Sequence, residues 1–260
     1  MRADTYLTVN GYCESRSRAA ASINAGCLFV NGRCVTKCSF DISDTDTVEL
    51  RGEAIPDVSR GGLKLRGAFE QFKLDCKDMI CVDVGASTGG FTDVLLKNGA
   101  KRVYAVDCGI GQLHMSLVND SRVVNIEGFN ARELTEKSLG EKCDMAVMDV
   151  SFISQTLLHS AVSSVLRDGG IFVSLIKPQF ESGKRAIGKG GIVKDSADHI
   201  NAITAVVSSA EQNGLALAGI VPSPISGGDG NREYLALFVK NGERKIDLTR
   251  EELKKLTQKK

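Results

Sequence analysis

The sequence predicts an α/β protein, a doubly wound and mostly parallel sheet preceded by a small α+β module. Three observations carry this. From residue 79 onward, the runs MICVDVG, RVYAVD, RVVNIEG, MAVMDVS and IFVSLIK are short, apolar and rich in valine or isoleucine, as buried parallel strands are. Amphipathic stretches such as FTDVLLKNG, SQTLLHSAVSSVLRDGG and SADHINAITAVVSSAEQNG separate them, the alternation of a doubly wound sheet. Residues 1–57 follow a different pattern of their own.

That first segment reads as a helix feeding a hairpin. ESRSRAAASINAG places Ala19, Ala20, Ile23 and Ala25 near helical spacing, and Gly26 is the expected stop. CLFVNGRCV then sets two apolar pieces around Asn31-Gly32, a strong hairpin signal. TDTVELRG alternates like a final strand.

Composition narrows the class. The 260 residues are 42% hydrophobic and 25% charged, ordinary for a globular protein. No apolar run approaches the roughly 18 residues of a spanning helix, and the polar N-terminus carries no signal-peptide pattern, so a cytoplasmic protein without membrane partners is expected. The eight cysteines read as reduced thiols, and the scattered histidines His114, His159 and His199 as helix-surface or core-edge residues, with no metal site. Net charge is only +1, but residues 1–40 hold five basic and two acidic side chains, against one and six in residues 41–57. A second basic stretch carries Lys177, Lys184, Arg185, Lys189 and Lys194. Such local patches suit phosphate contacts on a neutral protein.

The ligand is indicated by strand ends, since an open α/β sheet binds beyond the C-termini of its strands. The first strand runs into Asp83-Val84-Gly85-Ala86-Ser87-Thr88-Gly89-Gly90-Phe91, which is G-x-x-x-G-G rather than the dinucleotide G-x-G-x-x-G. A carboxylate at Asp83 suits a cationic amino-acid moiety, and the glycines let backbone approach a nucleoside. Asp107, about 20 residues on, ends the second strand, where an acid can bond both ribose hydroxyls. These features favour S-adenosyl-L-methionine over a nicotinamide cofactor. Asn130, after the third strand, is placed for adenine-edge recognition or for a helix N-cap.

Three more polar residues stand at strand ends: Asp149 in AVMDVS, Lys177 in LIKPQFE and Glu233 just before YLALFVK. Delivered to one edge of a parallel sheet, they would meet the cofactor. A ribose hydroxyl is a weak acid, so its methylation needs a tuned base or a cation beside the forming alkoxide. In-line displacement from a sulfonium also depends on positioning.

Two resemblances add to this reading. The run S-R-S-R-A-A-x-x-I-x-x-G-x-x-x-V-N-G at 15–32 resembles the αL-type RNA-binding module of a ribosomal small-subunit protein, pseudouridine synthases and tyrosyl-tRNA synthetases. It implies structured RNA as partner, with Arg2, Arg16, Arg18, Arg33 and Lys37 as phosphate contacts on the first two-thirds of the module. Across nearly the whole chain, VSRGGLKL, DVGASTGGFTD, AVDCGIGQL, DVSFIS, KPQFE, GKGGIVKD and GNREYL resemble the TlyA family of haemolysin-like ribosomal RNA ribose methyltransferases. Their catalytic half is similar to FtsJ.

That resemblance implies a Rossmann-like, seven-stranded S-adenosylmethionine-dependent fold and 2'-O-methylation of ribosomal RNA. It also implies a Lys-Asp-Lys-Glu tetrad, carried here by Lys64, Asp149, Lys177 and Glu233, with Lys177 central. The remaining expected RNA contacts are Arg60, Lys184, Arg185 and Lys189. Asp57 stands where the family more usually has an aromatic, so RNA contacts at that seam are expected to differ. An obvious Arg-Ala-Trp-Val type linker, described for actinobacterial members, is lacking, so a cytidine of large-subunit RNA alone is the expected target. The expected division is an RNA-binding domain at 1–58, a connector and first helix at 59–78, the catalytic domain at 79–245 and a charged tail at 246–260. The competing readings are a methyltransferase on a non-RNA substrate and a membrane-active haemolysin.

Overall fold

In the computed structural model every residue is described except 25, 52–56, 228–229 and 259–260. Ala25 of the expected first helix, Gly52 of TDTVELRG, Glu53 of the acidic stretch 41–57 and the two residues before GNREYL therefore lie outside the described residues. The chain divides into two units, Met1–Val58 and Ser59–Lys260.

The first unit opens with a helix that the sequence pattern did not reveal, α1 (Ala3–Val9). Its apolar face is only Ala3 and Leu7, one turn apart, too short a stripe to read as periodic. Helix α2 (Arg16–Asn24) follows, and Gly26, at φ +76°, takes the left-handed conformation that a residue with a Cβ resists. Strands β1 (Leu28–Val30) and β2 (Arg33–Val35) pair antiparallel, and β3 (Val48–Leu50) joins the other edge of β1. Asn31 and Gly32 both have positive φ, 51° and 76°, the geometry of a type I′ hairpin turn. Ala3, Leu7, Ala19, Ile23, Leu28, Val30, Val35 and Ile42 form the core.

The second unit begins almost at once with helix α3 (Gly62–Phe72), so the glycine pair in SRGGLKL starts a helix. Then come β4 (Ile80–Val84), α4 (Gly90–Lys97), β5 (Arg102–Val106), α5 (Met115–Val118), β6 (Val123–Ile126), α6 (Glu136–Leu139) and β7 (Cys143–Met148). The chain continues through α7 (His159–Val165), β8 (Leu166–Ile176), α8 (Pro178–Glu181), α9 (Ser196–Gln212), β9 (Leu215–Pro222), β10 (Tyr234–Lys240) and α10 (Arg250–Thr257). The sheet has seven strands in the order β6-β5-β4-β7-β8-β10-β9. The five strands from β6 to β8 are parallel, and β10 runs against both its neighbours. The fold is thus the Rossmann-like sheet expected, with its core around Val82, Val84, Val106, Ala146, Met148 and Phe172.

One element differs from the sequence reading, and two other readings are sharpened. The helix expected over 154–170 is shorter, because Leu166 already pairs with Cys143 of β7. Of the two alternatives for the histidines, surface or core edge, His159, fully buried, and His199, 5% exposed, take the core side. The expected charged tail carries helix α10, and part of it packs on the second unit. Thr249 and Glu252 form a capping box at the start of α10, Leu253 is buried, and Ile246, Leu248 and Leu256 pack on the main core. No helix among the described residues is long and apolar enough to cross a membrane.

Candidate active site

Lys64, Asp149, Lys177 and Glu233 meet in one alternating chain of charge. Lys177 Nζ lies 2.6 Å from Asp149 Oδ1, and Lys64 Nζ lies 3.8 Å from Asp149 Oδ2 and 2.7 Å from Glu233 Oε2. Lys177 Nζ also donates to Ser151 Oγ at 2.7 Å. The side chains of Lys64, Lys177 and Glu233 are 9%, 8% and 2% exposed, so each charge depends on its partner for compensation.

Each residue arrives by a different route. Asp149 follows β7, Lys177 follows β8, and Lys64 stands in the first turn of α3. Glu233 precedes its strand, and a parallel β10 would have placed it at the opposite edge of the sheet. It reaches the site because β10 is reversed, pairing Tyr234 with Ile176 at the end of β8. The expectation that parallel strands deliver all three residues is corrected to this extent.

Beside the chain of charge is a cavity of about 380 Å³, whose lining includes Gly85, Ser87, Asp107, Phe129, Asn130 and Asp149. Gly85, at φ +83°, allows the ends of β4 and β7 to approach, since a Cβ there would lie 3.0 Å from both Asp149 O and Val150 Cγ1. Asp107 is held by the Ser87 N–H at 2.8 Å on Oδ2 and the Gly109 N–H at 2.7 Å on Oδ1. A carboxylate has about four acceptor positions, so both oxygens keep capacity for ribose hydroxyls. Asn130 accepts the Arg132 N–H at 3.1 Å as an N-cap and also lines the cavity, so the two readings of this residue are compatible.

The rest of the glycine-rich stretch is engaged in packing. A Cβ on Gly89 would lie 2.2 Å from Leu117 Cδ1, and one on Gly90 would lie 2.3 Å from Ser59 Oγ. Phe91 is buried, and Thr88 O accepts the His114 N–H at 3.3 Å. Thr88, Gly89, Gly90 and Phe91 are not part of the cavity lining. Asp83 is also off the lining and fully buried. Its Oδ2 accepts Thr92 Oγ1 at 2.7 Å, while Oδ1 has no hydrogen-bond partner among the described residues. Burial pushes this carboxyl up to about 7.

Several supporting residues carried no motif of their own. Glu127 accepts the N–H groups of Gly111, Gln112 and Leu113 at 2.8, 2.8 and 3.1 Å, which fixes the loop after β5 and lowers its carboxyl below the usual range. Glu181 accepts Ser154 Oγ at 2.5 Å and the Gln155 N–H at 2.9 Å, tying α8 to the segment after Asp149. Burial raises that carboxyl. Only the nearness of Ser151 to Asp149, two residues away in DVSFIS, could have marked it from sequence.

The expected RNA contacts fall into two groups. In the first unit, Arg2 and Arg16 both hold the buried Asp4, at 3.0 and 2.7 Å, which drives that carboxyl far below the ordinary range. Arg18 donates to Asp57 O at 2.8 Å. Arg33 and Lys37 are exposed along an open groove of about 600 Å³ with Asn31 and Phe40. In the second unit Arg60 donates to Ser226 O at 3.2 Å, and Arg185 is exposed. The side chains of Lys184 and Lys189 lie outside the described residues.

Comparison with known proteins agrees with both units. Residues 58–240 match the FtsJ-like methyltransferase family and residues 1–48 match the S4 domain. The chain is 45% identical to Hemolysin A of Brachyspira hyodysenteriae, over 92% of this chain and 100% of that protein. It is 43% identical to the 16S/23S rRNA (cytidine-2'-O)-methyltransferase TlyA of Mycobacterium tuberculosis, over 90% and 87% of the two chains. Among solved structures it resembles a hemolysin from Streptococcus thermophilus, with TM-score 0.77 and 41% identity, covering 99% of this chain and 94% of that one. With both domain matches and relatives of this identity and coverage, the chain belongs to the TlyA family, FtsJ-like methyltransferases that carry an S4 domain.

Proposed function

We propose that this protein methylates a ribose 2'-hydroxyl of a cytidine in ribosomal RNA, using S-adenosyl-L-methionine, with Lys64, Asp149, Lys177 and Glu233 as its catalytic tetrad. The observation that carries the reading is the alternating ion-pair chain standing directly beside the cavity, with Asp149 belonging to both. The M. tuberculosis relative bears the same activity in its name.

The residues fit the methyl donor. Asp107 would hold ribose hydroxyls and Asn130 and Phe129 the adenine; the buried Asp83, whose Oδ1 has no partner among the described residues, would ionise fully only against an ammonium group brought to it. When bound, S-adenosylmethionine supplies an electrophilic methyl whose sulfonium leaves as a neutral thioether. What the chain does is hold the acceptor in line and manage its proton.

Lys177 stands at one end of the ion-pair chain, paired with the cavity-lining Asp149, which supports it as the residue that would meet the 2'-hydroxyl. Its ammonium group would stabilise the alkoxide developing on the acceptor oxygen, and Asp149, which orients that ammonium, would take up the proton the hydroxyl loses. Lys64 and Glu233 complete the chain, so that the half-buried Asp149 carboxylate has two cationic partners. The front unit presents Arg33, Lys37 and the α2 arginines to RNA phosphate, and Arg60, Lys184, Arg185 and Lys189 add contacts in the second unit.

Large-subunit RNA is the favoured substrate, because the chain lacks the linker expected of members that modify both subunits. Supplying labelled methyl donor with purified small and large subunits tests this directly. Label should enter large-subunit RNA as a ribose methyl and disappear after ribonuclease treatment. Label in protein, or none in RNA, would sink the reading.

A further inference from the structure

The motif GNREYL supplies Glu233 to the tetrad, and its neighbours are each committed to a different element. Asn231, 1% exposed, accepts the Val193 N–H at 3.0 Å on Oδ1 and donates from Nδ2 to Gly191 O at 2.9 Å. Arg232 donates to Leu256 O at 2.8 Å and to Gln258 O at the end of α10. The Tyr234 hydroxyl is 3.0 Å from His199 Nδ1, and His199 Nε2 is 3.0 Å from Val193 O. The Val193 residue is therefore held at its N–H by Asn231 and at its carbonyl by His199.

Residues 187–193 form a closed loop. Ile187 bridges Val193, the Gly188 N–H donates to Ile192 O at 3.0 Å, and the turn passes through Gly190 and Gly191 at φ +78° and +76°. Exposed basic residues flank it, Arg185 on one side and Lys194 on the other. Asn231 is also linked to Glu233 through Gly227. Its backbone carbonyl accepts the Gly227 N–H at 2.8 Å, and Gly227 lies over the carboxylate so closely that a Cβ there would be 2.6 Å from Glu233 Oε1. One residue thus pins a basic-flanked loop with its side chain and the cover of a tetrad carboxylate with its backbone.

We propose that Asn231 is a positioning residue that couples the seating of the 187–193 loop to the placement of Glu233 and, through Glu233, of Lys64. The inference rests on the tetrad reading above. An RNA backbone engaging the flanking basic residues bears on the same peptide that Asn231 holds, so docking at the loop is transmitted to the Glu233–Lys64 pair that the structure already holds together. Both polar ends of the amide are needed. Without them, the buried Val193 N–H loses its acceptor and Gly191 O its donor.

The test compares Asn231→Ala and Asn231→Asp with wild type, alone and combined with Glu233→Gln, in methyl transfer to large ribosomal subunits. Asn231→Ala should lower kcat about tenfold and raise KM for the subunit a few-fold, while cofactor Kd and binding stoichiometry stay within about twofold of wild type. Asn231→Asp keeps the acceptor for Val193 and should recover part of the loss. Because Asn231 acts through Glu233, the double variant should be no slower than Glu233→Gln alone.

Multiplicative losses in the double variant, or unchanged kinetics in Asn231→Ala, would overturn the inference. So would a loss matched by an equal fall in cofactor stoichiometry, which is the signature of a merely misfolded fraction. If Asn231→Ala does not fold, the Asn231→Asp pair of variants decides by the same comparison. Wild type is the internal control: if it transfers no methyl to RNA, the proposed function fails instead.

Discussion

Lys64 Nζ sits 2.7 Å from Glu233 Oε2 and 3.8 Å from Asp149 Oδ2, so its close partner is the carboxylate that lies furthest along the chain from Lys177. Glu233 is the most buried member of the four, which makes this pair the structural anchor of the site. Lys64→Met would strand a buried carboxylate and should cost about 3–5 kcal/mol of stability. The double variant Lys64→Met/Glu233→Met should recover most of that, as read from urea midpoints, while both remain inactive. A double variant less stable than the single one would refute the anchoring role.

Lys177 has a smaller structural burden, being paired with Asp149 at the end of the chain beside Ser151. Lys177→Ala should reduce methyl transfer about 1,000-fold or more, in line with loss of a group acting only at the transition state. Cofactor affinity, measured by calorimetry, should change no more than a few-fold. Near-normal turnover in this variant would show that the tetrad assignment is wrong.

Gly85 tests the approach of β4 to β7. Gly85→Ala forces a Cβ into contact with Asp149 O and Val150 at a positive φ of 83°, so both strain and displacement of Asp149 follow. The expected result is a loss of about 1–3 kcal/mol in stability together with weaker cofactor binding. Gly140→Ala is the control, because φ there is also positive, 84°, yet a Cβ would meet nothing within 4 Å. That variant should be destabilised by strain alone and keep its cofactor affinity.

His159 links stability to acid. It is buried, bonded through Nδ1 to Ser209 Oγ at 3.0 Å, and burial lowers it from 6.5 to about 4. Below 6.5 the unfolded chain binds a proton that the folded chain refuses, so stability should fall as pH drops from about 6.5 toward 4. His159→Gln should flatten that part of the curve in denaturant titrations at fixed pH. An unchanged slope would place the acid sensitivity elsewhere.

Asp83 works in the opposite direction. Its carboxyl is raised from 3.8 to about 7, so the folded chain holds a proton that the unfolded chain releases, and stability should decline as pH rises through that window. Asp83→Asn should therefore raise the melting temperature of the cofactor-free protein at pH 8 by roughly a few degrees, with the gain vanishing near pH 4. The same variant should weaken cofactor binding, because a neutral amide cannot balance an ammonium group. Unaltered affinity would assign Asp83 to packing with Thr92 alone.

Much of this protein was determined by local sequence. The parallel strands, the Asn31-Gly32 hairpin and the positions of Asp107, Asp149 and Lys177 all follow from apolar runs and from where they stop, because period and turn chemistry are short-range properties. The family motifs then marked Lys64, which no pattern of spacing would single out, since a lysine in a first helical turn is ordinary.

Tertiary structure decided the rest. Reversal of β10 brings Glu233 to the same edge as Lys177, and strand direction is set by pairing with β8, over 50 residues away in sequence. The docking of α10, the burial of His159 and the commitment of Gly89 and Gly90 to packing depend on surfaces that meet only when the sheet is covered. Asn231 is the clearest case. Its meaning lies in two backbone groups some 40 residues upstream, and a hydrogen bond across that distance leaves no periodicity to read.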